Sequence, residues 1–239
     1  MNEIGSTTIR HGIVVKIDGG DGCGKSTLVK DLASMFSHFV RVVTTEEFCS
    51  IHDYRAQTDQ RSISRLMYEL SLDPLLQFDD IERQLAMTIA AHRHNRIVLP
   101  CLSKQFDLVL CDRSFLTNYA AGAELGQEYT RFVNWALEQN SVYDVIFWID
   151  VRPSVAFLRR TRTLIESETI ALDPVEQKGL EHQVNQHEAF RDRCRRMNRV
   201  IRIAGEKDYS FVLRDVANRM QLILNDSGYS IPDLEAVGL

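Results

Sequence analysis

The sequence has no apolar run of the ~18 to 20 residues needed to cross a bilayer, no Cys-x-x-Cys pair and no excess of cations. The first absence excludes a membrane-spanning helix, and MNEIGSTTIRHG carries no apolar signal core, so a cytoplasmic protein is expected. Five cysteines (Cys23, Cys49, Cys101, Cys111 and Cys194) are odd in number and widely spaced, which leaves neither a disulfide framework nor a zinc knuckle. With 28 Lys and Arg against 33 Asp and Glu, a net charge of -5, no global attraction to nucleic acid or to an anionic membrane is expected. Any basic site must be local. No Asn-Lys-x-Asp stretch exists to read guanine, which argues against a GTPase. Repeats, low-complexity tracts and linkers are also missing, so residues 1–239 read as a single domain. Asn225, Asp226 and Ser227 match a glycosylation acceptor, read as chance in a chain with no secretory route.

What is present is a rhythm of short apolar runs and helical stretches. Runs with the character of buried strands lie at Ile13 to Ile17, Val40 to Val43, Phe106 to Cys111, Val145 to Ile149 and Val200 to Ile203. Helical periodicity covers Ser26 to Ser37, Asp79 to Lys104, Thr117 to Asn140 with a break near Gly126, Pro153 to Arg162, Pro174 to Met197 and Tyr209 to Leu224. Continuous rather than alternating apolar character marks strands covered on both faces. The expected class is therefore α/β, a mostly parallel five-stranded sheet flanked by helices. Ligands of such sheets sit beyond the carboxyl ends of the strands.

The first run leads into IDGGDGCGKST, where Gly19, Gly20, Asp21, Gly22, Cys23, Gly24, Lys25, Ser26 and Thr27 follow a strand and open a helix. Gly19, four residues, Gly24, Lys25 and Ser26 is the spacing of a loop whose backbone N–H groups wrap phosphates. Lys25 is placed to reach the β and γ phosphates of ATP, and the Ser26 hydroxyl to hold Mg²⁺. Cys23 is read as the occupant of a variable loop position.

FDLVLCDRS delivers Asp112 to a strand end beside Arg113, where a carboxylate can position Mg²⁺ and the arginine can hold a second phosphate. FLRRTRTLIESE brings Arg159, Arg160 and Arg162 to the start of a polar stretch, a lid over about 159–174 that closes on a transferring phosphoryl and keeps water out. At least one of these arginines is expected to reach the phosphates. Arg93 follows an apolar turn of a long helix and is a candidate bidentate ligand. His92 and His94 read as solvated, and Arg191 to Arg199 as a charged helix face. The end of the chain, about 225–239, is left as an unassigned tail.

Taken together, IDGGDGCGKST, LVLCDRS, IDVRPSVAFLRRTR and DPVE resemble the thymidylate kinase family of nucleoside monophosphate kinases, from about Ile13 to Leu224. The resemblance implies a P-loop kinase fold with an arginine-bearing lid that ends near Asp173 to Glu176, a homodimer, and phosphoryl transfer from MgATP to a pyrimidine deoxynucleoside monophosphate, dTMP to dTDP. It also implies roles. Lys25, Asp112, Arg113, Arg160 and Arg162 serve the transfer, and Ser26 and Asp112 hold Mg²⁺. Asp21 lies near the acceptor sugar, while Ile89, Arg93, Arg113 and Thr117 line the acceptor, and Ala204 to Lys207 border the adenine. The sequence departs from the family at TTEEFCS (Thr44 to Ser50), which lacks an arginine, at Ile89 in place of a stacking phenylalanine, at Pro174 in the lid and at Ala121. The acceptor base therefore stays open. So do a deoxynucleoside acceptor, with Asp18 as base, and a P-loop protein that binds nucleotide without turning it over.

Overall fold

The computed structural model describes residues 11–46, 79–123, 125–139, 142–166, 179–234 and 236. Five parallel strands form one sheet: β1 (Ile13–Asp18), β2 (Val42–Glu46), β3 (Leu108–Asp112), β4 (Val145–Asp150) and β5 (Val200–Ala204), in the order β2-β3-β1-β4-β5. The helices are α1 (Lys25–Phe36), α2 (Asp80–Arg93), α3 (Leu99–Leu102), α4 (Phe115–Ala121), α5 (Gln127–Gln139), α6 (Pro153–Glu166), α7 (Leu180–Cys194) and α8 (Tyr209–Asp226). The α/β class read from the apolar runs is the class observed.

Alternate residues of the central strands go to opposite layers. Val15, Ile17, Leu110, Phe147 and Ile149 pack with Leu28, Leu32 and Phe36 of α1 and with Val216, Met220 and Leu224 of α8. On the other face, Val14, Val43, Val109 and Cys111 meet Leu99 and Leu102, while Ile146 and Trp148 meet Leu116, Ala120 and Phe190. Both faces are covered, so the runs are apolar throughout. In register, Ile17 of β1 stands opposite Asp112 of β3, and Asp112 opposite Glu46 of β2.

Several boundaries differ from the sequence reading for local reasons. β2 begins at Val42 rather than Val40, because the N–H groups of Phe39 and Val40 both close on Phe36 O at the end of α1. α4 begins before Thr117: Ser114 caps it, its hydroxyl oxygen accepting from Leu116 N–H at 3.1 Å. α2 starts on a capping box, Asp79 accepting from Glu82 N–H at 2.8 Å and Glu82 from Asp79 N–H at 3.0 Å, a device worth about 1 kcal/mol. The predicted helix from Asp79 to Lys104 contains Pro100, whose ring collides with the carbonyl four residues back in a regular α-helix. The chain widens to a π-helical turn at His94–Val98 ahead of it, with Leu99 N–H bonding His94 O. His94, at the end of α2, continues that helix's buried face and is 4% exposed, so it is not solvated.

α6 runs on to Glu166, and the rest of the predicted lid, with Pro174 and Asp173 to Glu176, lies outside the described residues. α7 ends at Cys194, so the basic run to Arg199 is only partly helical, and Arg193 sits over the Tyr119 ring at 5.6 Å. The start of the tail is placed: Ile231 and Leu234 are 5% and 2% exposed within the main core. Asn225 holds it there, accepting from Ile231 N–H at 2.8 Å and donating to Ile231 O at 3.2 Å. That side chain has a structural role at the glycosylation-like triplet.

Candidate functional site

β1 ends at Asp18, and the glycine-rich turn carries the chain into α1 at the carboxyl edge of the sheet. Gly24 caps α1 with φ 92, a left-handed conformation that favours glycine. α1 has no side-chain cap and no acidic residue in its first turn. The positive dipole end of α1 therefore faces the loop with no acidic side chain in its first turn, a setting that favours an anion. The buried Lys25 side chain folds back over the loop, Nζ donating to Gly19 O and Gly20 O, both at 2.9 Å. Ser26 and Thr27 lie exposed in the first turn. Cys23 is buried, and burial pushes its thiol up despite Lys25 Nζ 3.9 Å away.

Gly22 explains how the lid arginine reaches this loop. Its φ is 84, and a Cβ there would lie 2.2 Å from Ala156 O. Only a bare backbone lets α6 come so close, and one turn after Ala156 the Arg160 guanidinium stands 3.8 Å from Asp21 Oδ2. Asp21 also accepts from Arg113 Nη2 at 3.0 Å and lies 3.7 Å from Lys25 Nζ. Partial burial would raise the Asp21 carboxyl, but Arg113, Lys25 and Arg160 override it and hold it well below the usual carboxylate range. Asp21 in turn raises the Arg113 guanidinium. Three cations from three elements thus converge on one carboxylate at the mouth of the loop. Arg162 lies exposed farther along α6, and Arg159 Nη1 donates to Gly205 O at 3.0 Å, next to Glu206, which pairs with Arg152 at 2.8 Å.

Asp112 is 6% exposed, and among the described residues its Oδ1 has no hydrogen-bond partner. A buried carboxylate oxygen left unpaired is costly, and one at the end of the strand beside the loop's own strand is satisfied by a hard cation. Together with the exposed Ser26 hydroxyl, the donor set fits Mg²⁺. The next residue, Arg113, has φ 79, a conformation costing about 1–2 kcal/mol for a residue with a Cβ.

The predicted acceptor residues separate into two groups. Ile89 is 47% exposed and Arg93 half-buried one turn later on α2. Among the described residues no hydrogen bond or ion pair ties Arg93 to the loop. Thr117 is engaged elsewhere: its hydroxyl donates to Asp18 Oδ1 at 2.7 Å. The candidate base Asp18 is wholly buried and has both oxygens occupied, which removes it from contact with an acceptor hydroxyl.

Residues 14–210 match the family model described as an AAA domain, a stretch running from the second residue of β1 into the first turn of α8. The chain belongs to that family. The domain is of the P-loop, nucleotide-binding type, and β3, which carries Asp112, lies beside β1, the strand that leads into the glycine-rich loop. No curated protein matches the chain.

Sequence reasoning missed Ser114, which serves both as the cap of α4 and as a partner of Asp18, and it missed the placement of Arg160 through Gly22. The first had a signal, a Ser and a Thr three apart directly after Asp-Arg. The second had none, because it depends on how closely α6 packs on the loop.

Proposed function

We propose that this AAA domain transfers the γ-phosphoryl group of MgATP to a pyrimidine deoxynucleoside monophosphate, dTMP being the expected acceptor. The observation that carries the reading is the convergence of Lys25, Arg113 and Arg160 on Asp21 beside a helix terminus with no side-chain cap. Cations from the loop, from the turn after β3 and from α6 surround one small space. A single nucleotide needs the first, and a phosphoryl passing between two phosphates needs all of them.

In this mechanism the α1 N-terminus and Lys25 bind the β and γ phosphates, and Ser26 and Asp112 would hold Mg²⁺, which would supply charge neutralisation for the phosphates. Arg113 orients the acceptor phosphate, and Arg160, with Arg162 on the same helix, offsets the charge on the transferring group. An acceptor phosphate oxygen is already ionised, so it forms the new P–O bond, and the bond to ADP breaks, without a protein base. The burial of Asp18 favours this over a nucleoside acceptor, whose hydroxyl must lose a proton. A single domain and a homodimer belong to the proposal, the latter read by sedimentation.

The test is ADP release from MgATP over a panel of deoxynucleoside and ribonucleoside monophosphates, including 5-substituted pyrimidines, beside the matching nucleosides. A clear preference for dTMP supports the reading. Turnover only with nucleosides, or ATP binding with no acceptor used, refutes it. Lys25→Ala is expected to lower turnover by about 100-fold or more with every acceptor, and a variant that keeps most of its rate removes Lys25 from the mechanism.

A further inference from the structure

Asp18 closes β1 with a side chain that has no exposed surface. Oδ1 accepts from Gly19 N–H at 2.8 Å and from the Thr117 hydroxyl at 2.7 Å. Oδ2 accepts from Ser114 N–H at 2.9 Å and from the Ser114 hydroxyl. The first donor opens the P-loop, and the other three belong to the turn after Arg113 and to α4. Two segments that are distant in the chain therefore meet on one carboxylate.

The backbone around this meeting point is unusual. Arg113 N–H donates to Ile17 O at 2.9 Å, so the ladder between β1 and β3 continues one residue past Asp112. The chain then turns left-handed at Arg113, φ 79, a conformation that persists only where its surroundings fix it. The fixing bonds lie on either side: Ile17 O takes the N–H of Arg113 and Asp18 takes the N–H of Ser114. With this turn in place, the Arg113 guanidinium meets Asp21 within the loop.

The geometry points to Asp18 as a positioning residue that locks the P-loop to the arginine turn, so that the cradle for one set of phosphates and the guanidinium for the other share one support. Burial raises its carboxyl, but the four donors leave no lone pair directed at a substrate. The naming of the second phosphate rests on the kinase reading, whereas the coupling of loop and turn does not.

The test uses the full chain and a fluorescent ATP analogue with no acceptor present. Ser114→Ala with Thr117→Ala removes two hydroxyl donors from Asp18 and leaves the loop sequence intact. It is expected to weaken analogue binding about tenfold and to speed amide exchange at Gly19. Asp18→Asn is expected to do the same, and adding it to the double variant to give less than the product of the two effects. Thr117→Ser, which keeps the hydroxyl, is expected to bind as the wild type does, while Thr117→Ala alone binds about threefold more weakly. That pair decides the matter if Asp18→Asn does not fold.

Unchanged analogue affinity in the double variant overturns the proposal. So does an Asp18→Asn protein with wild-type affinity and KM values but turnover lowered more than a thousandfold, since that is the behaviour of a proton acceptor. If the wild type binds the analogue yet phosphorylates no monophosphate, the kinase reading fails while these binding and exchange results still stand.

Discussion

Arg113 combines a strained backbone with a paired side chain, and both features limit what can replace it. Its guanidinium is the closest of the three cations to Asp21, and a bidentate group of that kind is what an acceptor phosphate requires. Arg113→Ala is expected to raise the acceptor KM by about tenfold or more and to change ATP affinity less. Calorimetry with each nucleotide separately checks this, and equal losses for both would place Arg113 on the ATP side. The motif itself was legible in the sequence because Asp-Arg after an apolar strand is a chemical signature. Its left-handed turn was not, because φ at a non-glycine residue depends on the bonds that neighbouring strands provide.

At the level of elements, the glycine-rich turn between β1 and α1 was readable almost to the residue, since glycine spacing is a backbone requirement independent of the rest of the fold. Gly22 tests the packing that the spacing alone did not reveal. A Cβ at Gly22 meets Ala156 O, whereas one at Gly20 meets nothing within 4 Å. Gly22→Ala is expected to lower Tm by about 4 °C or more, and Gly20→Ala to lower it less. Equal shifts in thermal unfolding would mean that α6 does not rest on the loop.

His94 shows the opposite case. It reads as solvated in the sequence because no third metal ligand accompanies His92 and His94, yet it falls on the buried face of α2 and its Nε2 bonds Thr45 Oγ1 at 2.7 Å in the interior. Lys16, equally buried, bonds Asn95 next to it. Burial, helped by Lys16, pushes the His94 imidazole down to about 3. The unfolded chain takes up this proton near pH 6.5 and the folded one does not until far lower, so stability is lost as pH falls from about 6.5 toward 3. Between pH 7 and 5 the loss from this group is about 2 kcal/mol. Thermal unfolding at pH 7, 6 and 5 is expected to be less acid-sensitive in His94→Gln than in the wild type, and parallel slopes would rule His94 out as the cause.

At the scale of the molecule, the sheet was legible because buried parallel strands announce themselves as apolar runs. The start of the tail was not, since SGYSIPDL has no period and its place is set by the core that Ile231 and Leu234 reach. Leu234→Ala is expected to cost about 2–4 kcal/mol in urea unfolding, and a chain stopped after Ser227, which also loses Ile231, to cost more. A stability within 0.5 kcal/mol of the wild type (about the spread of surface substitutions) would show that the tail does not support the core.

The strand order also bears on how the chain is made. β1, which precedes the other described strands in the chain, is the middle of the sheet, and β2 does not pair with it. Ile13 finds its partner only when Leu108 has emerged, and Val15 only when Val145 has. Pairings so distant in the chain form slowly, so on the ribosome the apolar run IVVKI stays unpaired until β3 has been made. Among the described strands, a nascent chain halted before β3 has no adjacent pair to join, and β1 is the segment a chaperone has most reason to hold.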